Sequence, residues 1–343
     1  MRKAAKAVTI KEIAVACGVS PSTVSLVLNG SPKIKEATRL RVLRAVEELD
    51  YQPNEMARGL VSSRSRCLSV TVPALNHVFS DVYFGEIISG IYQEANDSGY
   101  KILLDLAQER FIAEKEYINL LRNRRADGML VVASTVADDH LFEFEQQPYP
   151  VMLVNHYFPG SRLPFLSVDY RMAAELAAEH LLDLGHRHIG LVIGTNTHTG
   201  IDFQTRFLEV CAARGVPESQ VPCIGVKDWD EQEGYEAART LMSRHPQLTA
   251  IMAGNDRMAI GAMRWLLQVG FRVPAEISVM GMDNIPSSKF TSPGLTTLRM
   301  DFFRVGQASC RRLLSMLSAK SGDTCEFLEP QLVVRESTAP ARG

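Results

Sequence analysis

The sequence lacks the marks of a secreted or membrane-bound protein. Its six cysteines (Cys17, Cys67, Cys211, Cys223, Cys310 and Cys325) form no C-x-x-C pair, and no secretory signal precedes them. We therefore expect reduced thiols rather than a disulfide framework or a thiolate metal site. No apolar run approaches the length of a membrane span. These absences favour a cytoplasmic protein.

Enzyme signatures are missing as well. The glycine-bounded segment 194–200 lacks the G-K-[ST] sequence that would cradle a triphosphate. His186 and His188 lie two positions apart before a predicted strand, and we interpret them as polar residues at a helix end and a strand start. A nucleophile paired with a base is not visible either. We expect neither an enzyme nor a bound cofactor or metal.

What the sequence does contain, in residues 9–30, is the pattern of two short helices joined by a tight turn. Thr9 and Glu12 have the spacing of a capping box, and Gly18 ends the first helix. Ser20 can cap a second helix that begins at Pro21, where the missing N–H of proline costs nothing. A third helix over about 35–49, with an apolar face formed by Leu40, Leu43, Val46 and Leu49, would complete a three-helix core.

The outer face of the second predicted helix is small and polar, which suits a helix that enters a DNA major groove. Its residues are Ser22, Thr23, Ser25, Leu26 and Asn29. Residues 1–66 contain 12 basic and 6 acidic side chains, a net charge of +6 against −2 for the whole chain. A basic module on an acidic body is the asymmetry expected for phosphate binding. The alternative is a helical hairpin with ordinary caps.

The sequence of residues 51–60 indicates a short helix that would be barely stable in water by itself. Pro53 can start it, and Gly59 weakens it. Ordered against DNA, such a segment could press Leu60 into the minor groove as an apolar wedge. The alternative is a flexible linker, which the following residues 62–65 resemble in composition.

The remainder of the chain alternates short apolar runs with helical patterns, which predicts an α/β fold with parallel sheets covered on both faces. The expected strands are Leu68–Val72, Ile102–Leu106, Gly128–Val132, Val151–Val154, Ile189–Ile193, Ala250–Ala253 and Ile277–Met280. Ligands of such folds bind beyond the carboxyl ends of the strands. The residues that follow each run are therefore the candidates for a binding site.

The order TIKEIAxxxGVSxSTVSxVLNG, then YQPNxxARGL, then a long α/β domain, resembles the lactose-repressor/galactose-repressor family of bacterial transcription regulators over essentially the whole chain. The resemblance implies a helix-turn-helix headpiece (1–50), a hinge helix and linker (51–66) and a two-lobe, periplasmic-binding-protein-like domain (67–343). The first lobe would hold about 67–166 and 299–328, and the second about 167–298 and 329–343.

The resemblance also implies a nucleoid-associated regulator, more specifically a repressor, that binds a palindromic DNA operator as a homodimer. Helices around Phe84–Glu94 and Phe111–Leu121 are the expected dimer surface. The C-terminal segment is too short and too proline-broken for a coiled coil, so we expect no tetramer. The residues expected at DNA are Thr9, Ser20, Pro21, Ser22, Thr23, Ser25, Leu26, Asn29, Lys33, Asn54, Arg58 and Leu60.

A small effector, a carbohydrate or a derivative, would bind between the two lobes, whether as inducer or as corepressor. The residues expected to contact it are Asn76, Tyr83, Phe84, Asn155, Phe203, Arg206, Trp229, Asn255 and Asp283. Phe203 stands where the family usually has an arginine, and Arg206 where it has a glycine. Either Phe203 offers a stacking surface, or Asp202 or Arg206 compensates, or the loop 196–200 aligns differently. Strand-end residues such as Asn255 and Asp283 are also common as turn or cap residues, and Trp229 as ordinary packing.

Overall fold

The computed structural model describes residues 8–28, 31–51, 64–75, 78–318 and 325–342. The chain divides into two units, Met1–Ser65 and Arg66–Gly343. Several predicted features lie outside the described residues: most of the hinge segment with Asn54, Arg58 and Leu60, and the candidate contacts Asn29 and Asn76.

The described part of the first unit contains three helices, α1 (Ile10–Cys17), α2 (Pro21–Leu28) and α3 (Glu36–Glu48). The predicted capping box is present: Thr9 Oγ1 accepts from Glu12 N–H, and the Glu12 carboxylate accepts from Thr9 N–H. Gly18 ends α1 at φ 62°, in the left-handed region that glycine adopts without strain.

The predicted apolar face of the third helix is mostly wrong: of its four residues, Val46 packs against the core, and the three leucines are exposed. The helix buries Val42 and Ala45 against α1 and α2, whereas the side chains of Leu40 and Leu43 are 55% and 44% exposed. The leucines and the Val42–Ala45 pair follow the same helical spacing, but they lie on different sides of the helix. Periodicity alone could not distinguish the two faces.

The second unit is built on two six-stranded sheets, in the order β11-β5-β4-β3-β1-β2 and β12-β10-β9-β8-β6-β7. All described pairings are parallel except that of β10 with β12. The strands are β1 (Cys67–Pro73), β2 (Lys101–Ala107), β3 (Gly128–Val132), β4 (Val151–Val154), β5 (Phe165–Val168), β6 (Ile189–Gly194), β7 (Cys223–Val226), β8 (Ala250–Ala253), β9 (Ser278–Asp283), β10 (Thr296–Arg299), β11 (Cys325–Leu328) and β12 (Gln331–Val333).

Each sheet with its helices forms one lobe, and the chain passes between the lobes after β5, after β10 and after β11. The expected crossings, near Leu166, Leu298 and Leu328, fall in these three strands. The helices are α4 (Val82–Asp97), α5 (Glu109–Ala113), α6 (Glu116–Arg122), α7 (Tyr170–Asp183), α8 (His198–Ala213), α9 (Glu231–Arg244), α10 (Asp256–Gln268) and α11 (Phe302–Leu317). Every apolar run predicted as a strand overlaps an observed strand, the last one starting one residue before β9, and the predicted parallel α/β fold is confirmed.

In each lobe one pair of helices packs through reciprocal glycines. A Cβ at Gly90 of α4 would overlap the carbonyl oxygen of Phe303, and one at Gly306 of α11 would overlap that of Ile87. Gly234 of α9 and Gly261 of α10 meet the partner backbone in the same way. The helix axes can approach this closely only because no side chain separates them.

Within the described residues, no single helix is long and apolar enough to cross a membrane. Of the described helices, only α1 and α2 taken together are long and apolar enough for a membrane span, and they are bent by 103° to each other. They are the two short helices of the first unit, and Ile13, Ala14, Cys17, Val24 and Val27 are buried in its core.

The packing of α4 on α11 predicts opposite effects for two glycines of one helix. We expect Gly90→Ala to lower the free energy of unfolding by about 1–3 kcal/mol, because the new methyl group must push Phe303 away. Gly85→Ala, where a Cβ meets no heavy atom within 4 Å, should raise it by roughly 0.5–1 kcal/mol. Urea denaturation measures both; equal effects would show that the helix contact is not tight.

Candidate functional site

The first unit exposes one face of α2. Pro21, Ser22 and Leu26 are exposed, and the side chain of Leu26 is 42% accessible. Ser20 caps the start of α2: its Oγ accepts from Thr23 N–H at 3.1 Å and lies 2.9 Å from Thr23 Oγ1. At the start of α1, Thr9 Oγ1 donates to the Glu12 carboxylate at 3.0 Å. Ser25 is half-buried on α2, and Lys33 is exposed beyond the helix. The hydroxyls of Thr9, Ser20 and Thr23 thus also serve the helix starts, and their contact with DNA stays a prediction.

In the second unit, Asn155, just beyond β4, connects α4 and β5 of the first lobe with the first residue of α7, the helix that follows the crossing after β5. Its Nδ2 donates to Tyr83 Oη at 3.1 Å and to Tyr170 Oη at 2.9 Å. Its Oδ1 accepts from Val168 N–H at 3.2 Å. The amide is thus used within the protein, and it positions the two tyrosine hydroxyls at the carboxyl end of the sheet. Burial raises the pKa of both tyrosines, so the hydroxyls keep their protons.

Tyr170 belongs to this site, although sequence reasoning did not propose it. It is the first residue of α7 and follows β5, a strand that the sequence pattern did not reveal. Tyr83 packs edge-on against Phe84 and Phe302, with ring centroids 4.8 Å and 4.7 Å apart. Phe84 itself is buried in the core, so it supports the site through Tyr83 rather than lining it.

Asp283 brings a carboxyl group to the same place from the second lobe. It ends β9 with φ 111°, outside the usual range for a side-chain-bearing residue. Burial and the neighbouring carboxylates of Asp256 and Asp81 raise its pKa well above the usual range. It is close enough to both Tyr83 and Tyr170 to raise their pKa values. Among the described residues, no hydrogen bond or ion pair to its carboxyl group is found.

Trp229 and Asn255 form the next part of this end of the second lobe. Asn255 caps α10, with Oδ1 accepting from Met258 N–H at 2.8 Å, and its Nδ2 donates to the Trp229 carbonyl at 2.9 Å. The Trp229 indole lies over Gly194 and Gly254, where any Cβ would meet the ring. Asn255 therefore holds the Trp229 loop, and the half-buried ring is placed beyond β6 and β8.

The structure does not bring Phe203 and Arg206 to this site. The Phe203 ring is fully buried in the core and stacks on Phe207 at 6.0 Å, so the expected stacking surface for a ligand is not available. Arg206 donates to Glu175 at 2.6 Å and to Glu209 at 3.0 Å on the outer side of α7 and α8. Asp202 lines a surface cavity together with Arg171 and Tyr170. Compensation by Asp202 for the arginine that the family resemblance implies stays a prediction.

Contacts between the lobes include an ion pair beside Tyr83 and a backbone hydrogen bond. Arg257 of α10 donates to Asp81 at 2.9 Å and to Glu231 at 3.0 and 2.7 Å, and Asp81 also accepts from Tyr83 N–H. On another side, Val136 N–H donates to the carbonyl of Asn196 at 2.9 Å. We call the region at the carboxyl ends of both sheets that carries Tyr83, Tyr170, Trp229 and Asp283 the interlobe cleft.

The loop that carries Asp283 is held by the fully buried carboxyl group of Asp256. This group accepts from Thr297 Oγ1 at 2.5 Å and from Ile285 N–H at 2.8 Å. Burial raises the pKa of Asp256 to about 7, although these hydrogen bonds oppose the shift. A buried acid thus ties the start of α10 to β10 and to the residues after Asp283.

Comparison with known proteins matches both units. The model of bacterial regulatory proteins of the lacI family matches residues 9–54, and that of the periplasmic binding protein-like domain matches residues 178–338. Catabolite control protein A of Priestia megaterium is 30% identical over 96% of this chain and 99% of its own length.

Two solved structures resemble the whole chain. The lac repressor dimer bound to operator and the anti-inducer ONPF has a TM-score of 0.86 at 26% identity, covering 97% of this chain and 100% of that one. The complex of the transcriptional regulator CelR with cellobiose has a TM-score of 0.73 at 25% identity, covering 96% and 99%.

The raised pKa of Asp256 predicts how stability changes with pH. Between the ordinary value of 3.8 and about 7, the folded protein keeps a proton that the unfolded chain has released. The contribution of Asp256 to stability therefore falls as pH rises through this range. Asp256→Asn removes that dependence, so the stability of the variant relative to wild type should rise between about pH 5 and about pH 8.

Urea denaturation at the two pH values measures the difference. The exposed Asp97 at the end of α4 provides the matched control, and Asp97→Asn should show no such trend. A stability difference for Asp256→Asn that is the same at both pH values would contradict the assignment.

Proposed function

The chain belongs to the lacI family of bacterial regulatory proteins, and from that premise we propose that it represses transcription by binding a palindromic operator as a dimer, under the control of a small carbohydrate-like effector. The effector binds in the interlobe cleft, and the outer face of α2 reads the operator. The protein acts on DNA in the cytoplasm.

The observation that carries the effector assignment is the carboxyl group of Asp283 opposite two tyrosine hydroxyls. A polyol offers hydroxyls that both donate and accept, and these match a carboxyl group and phenols held by Asn155. The indole of Trp229 adds an aromatic plane for the C–H face of a sugar ring. The resemblance to the CelR–cellobiose complex supports the same class of ligand.

The proposed mechanism is an equilibrium between two arrangements of the lobes. Arg257 with Asp81, and Val136 with Asn196, join the lobes beside the cleft, so a ligand that contacts Tyr83 and Asp283 together favours this arrangement. An effector shifts operator affinity only by its differential affinity for the two arrangements, typically about 1–3 kcal/mol. Whether it strengthens or weakens operator binding depends on which arrangement fits the DNA.

A dimer is favoured because one three-helix reader makes few contacts. Two linked readers gain from effective concentration and from the symmetry of a palindrome. The similarity to the lac repressor dimer on its operator supports this assembly. As in the sequence-based expectation, α4 and the region of α5 and α6 are the proposed dimer surface.

Selection of bound duplexes from a random pool, at moderate salt, tests the proposed function. We expect an enriched palindrome with a pyrimidine–purine step at its centre, because such a step unstacks easily under a Leu60 wedge. If neither the protein alone nor the protein with a mixture of sugars enriches any sequence, it is not an operator-binding repressor.

The exposed position of Leu26 on α2 leads us to expect a changed base preference when this side chain is removed. We expect Leu26→Ala to lower affinity for the selected operator and to relax the preference at one position of each half-site, because an exposed leucine can contact a thymine methyl group. Val15, 83% exposed on α1, is the matched control, and Val15→Ala should leave the preference unchanged. Titrations against operators with single base changes measure both. An unaltered preference in Leu26→Ala would remove this residue from base reading.

If Asp283 contacts the effector and not DNA, removing its carboxyl group should abolish the effector response and leave operator binding intact. We expect Asp283→Ala to lose the response to the sugar that shifts operator affinity in wild type, while operator binding without sugar stays within about twofold. A panel of mono- and disaccharides, tested by operator titration, identifies the responding sugar. Glu218→Ala removes an exposed carboxylate away from the cleft and from α4, and should respond normally. A normal response in Asp283→Ala would exclude this residue from the site.

A further inference from the structure

The first lobe contains a second cavity, which we call the β1–β3 chamber. It has a volume of about 120 Å³ and lies at the carboxyl ends of β1 and β3, on the face covered by α5 and α6. Thr71, Ser134, Phe111, Tyr117, Met129 and His140 are among its lining residues. Among the described residues, the lining includes neither the tyrosines of the interlobe cleft nor Asn155.

The chamber and the helix pair α4–α11 lie on opposite faces of the sheet. Side chains alternate along β1, so Val70 and Val72 join the core that contains Ile87 and Val305. Thr71 projects to the other face, where Met129 packs with Phe111 and Tyr117 in a separate apolar cluster. Most of the chamber thus lies on the face opposite the first core, with Val72 and Ala133 of the strand ends shared between the two. Within the described lining, the chamber shares no residue with the interlobe cleft.

Two buried hydroxyls in the chamber are left without a partner. Thr71 is 5% exposed and Ser134 is 7% exposed. Within the described ranges, neither Thr71 Oγ1 nor Ser134 Oγ has a hydrogen-bond partner. A buried polar group without a partner costs about 1–3 kcal/mol, and native proteins rarely leave two at one place. The pair therefore points to a molecule that hydrogen-bonds both groups.

The carboxylate and the imidazole that line the chamber are, respectively, hydrogen-bonded within the protein and uncharged near neutral pH. Asp138 accepts from Thr135 N–H at 2.6 Å and from Thr135 Oγ1 at 3.0 Å. Burial lowers the pKa of His140, so its imidazole is neutral near pH 7. Lysine and arginine are absent from the described lining. These features favour an uncharged molecule over an anion or a cation.

We propose that the β1–β3 chamber is a second binding site, for a small uncharged polyol of the size of glycerol. Its volume is close to that of an engineered cavity of about 150 Å³ that holds benzene, which has six heavy atoms like glycerol. The hydroxyls of Thr71 and Ser134 bind those of the ligand, and Phe111 and Met129 contact its C–H groups. This site is independent of the interlobe effector.

Methyl NMR of the full-length protein tests the proposal with glycerol as the probe. The methyl groups of Met129, Ala107 and Ala133 line the chamber and serve as reporters. We expect their resonances to shift saturably with glycerol concentration in wild type and equally in Asp283→Ala. Shifts that grow linearly without saturation would show that the chamber holds only solvent, and would overturn the proposal.

Variants that remove each of the two hydroxyls provide a second test of the proposed site. Thr71→Val keeps the shape and removes the hydroxyl, so it should weaken glycerol binding by at least about fivefold, as should Ser134→Ala. Thr71→Ser, which keeps a hydroxyl, should retain binding. Ser69→Ala is the matched control, because Ser69 carries an unpartnered buried hydroxyl on β1 outside the chamber lining. Saturable binding that persists unchanged in Thr71→Val and Ser134→Ala would also contradict the assignment.

Discussion

The parallel pairing of the strands in both sheets is the constraint on which the rest of the structure depends. Parallel strands end at one edge of a sheet, so each residue that follows a strand is brought to the same place. Asn155, Asp283 and Asn255 all follow or end such strands. The β1–β3 chamber lies at the same edge of the first sheet. One topological rule thus places both the cleft and the second cavity.

Apolar runs located the buried strands well because burial on both faces leaves a continuous signal. The bounds of β3, β4 and β8 agree with the predicted runs to the residue. The sequence pattern did not reveal β5, β7, β10, β11 and β12. Strands β7, β11 and β12 lie at sheet edges and carry exposed residues, whereas β5 and β10 are inner strands whose apolar runs are interrupted by Ser167 and by Thr296 and Thr297. Family membership confirms the predictions of a helix-turn-helix regulator that is not an enzyme. Periodicity chose the wrong face of α3 because two apolar faces had the same spacing.

The side chains of the site were harder to predict than the strands, because strand-end polar groups also serve the protein itself. Asn155 and Asn255 look like ligand contacts in the sequence, yet their amides hold Tyr83, Tyr170 and the Trp229 loop. Phe203 is three positions from Arg206 on α8, and one turns to the core while the other pairs with Glu175. The sequence identifies which residues follow the carboxyl ends of the strands. Hydrogen bonds within the protein then decide which of these side chains is available to a ligand.

The ion pair that joins the lobes beside the cleft is weak compared with the packing inside each lobe. Reciprocal glycines hold α4 to α11 and α9 to α10, so these helices are closely packed. Arg257 and Asp81 are partly exposed, at 32% and 21%, and such a pair contributes at most about 1 kcal/mol. Arg257 therefore orients one lobe against the other more than it drives closure. The free energy that couples the cleft to DNA must come from the ligand, through its contacts with groups of different lobes: Asp283 of the second lobe and Tyr83 of the first.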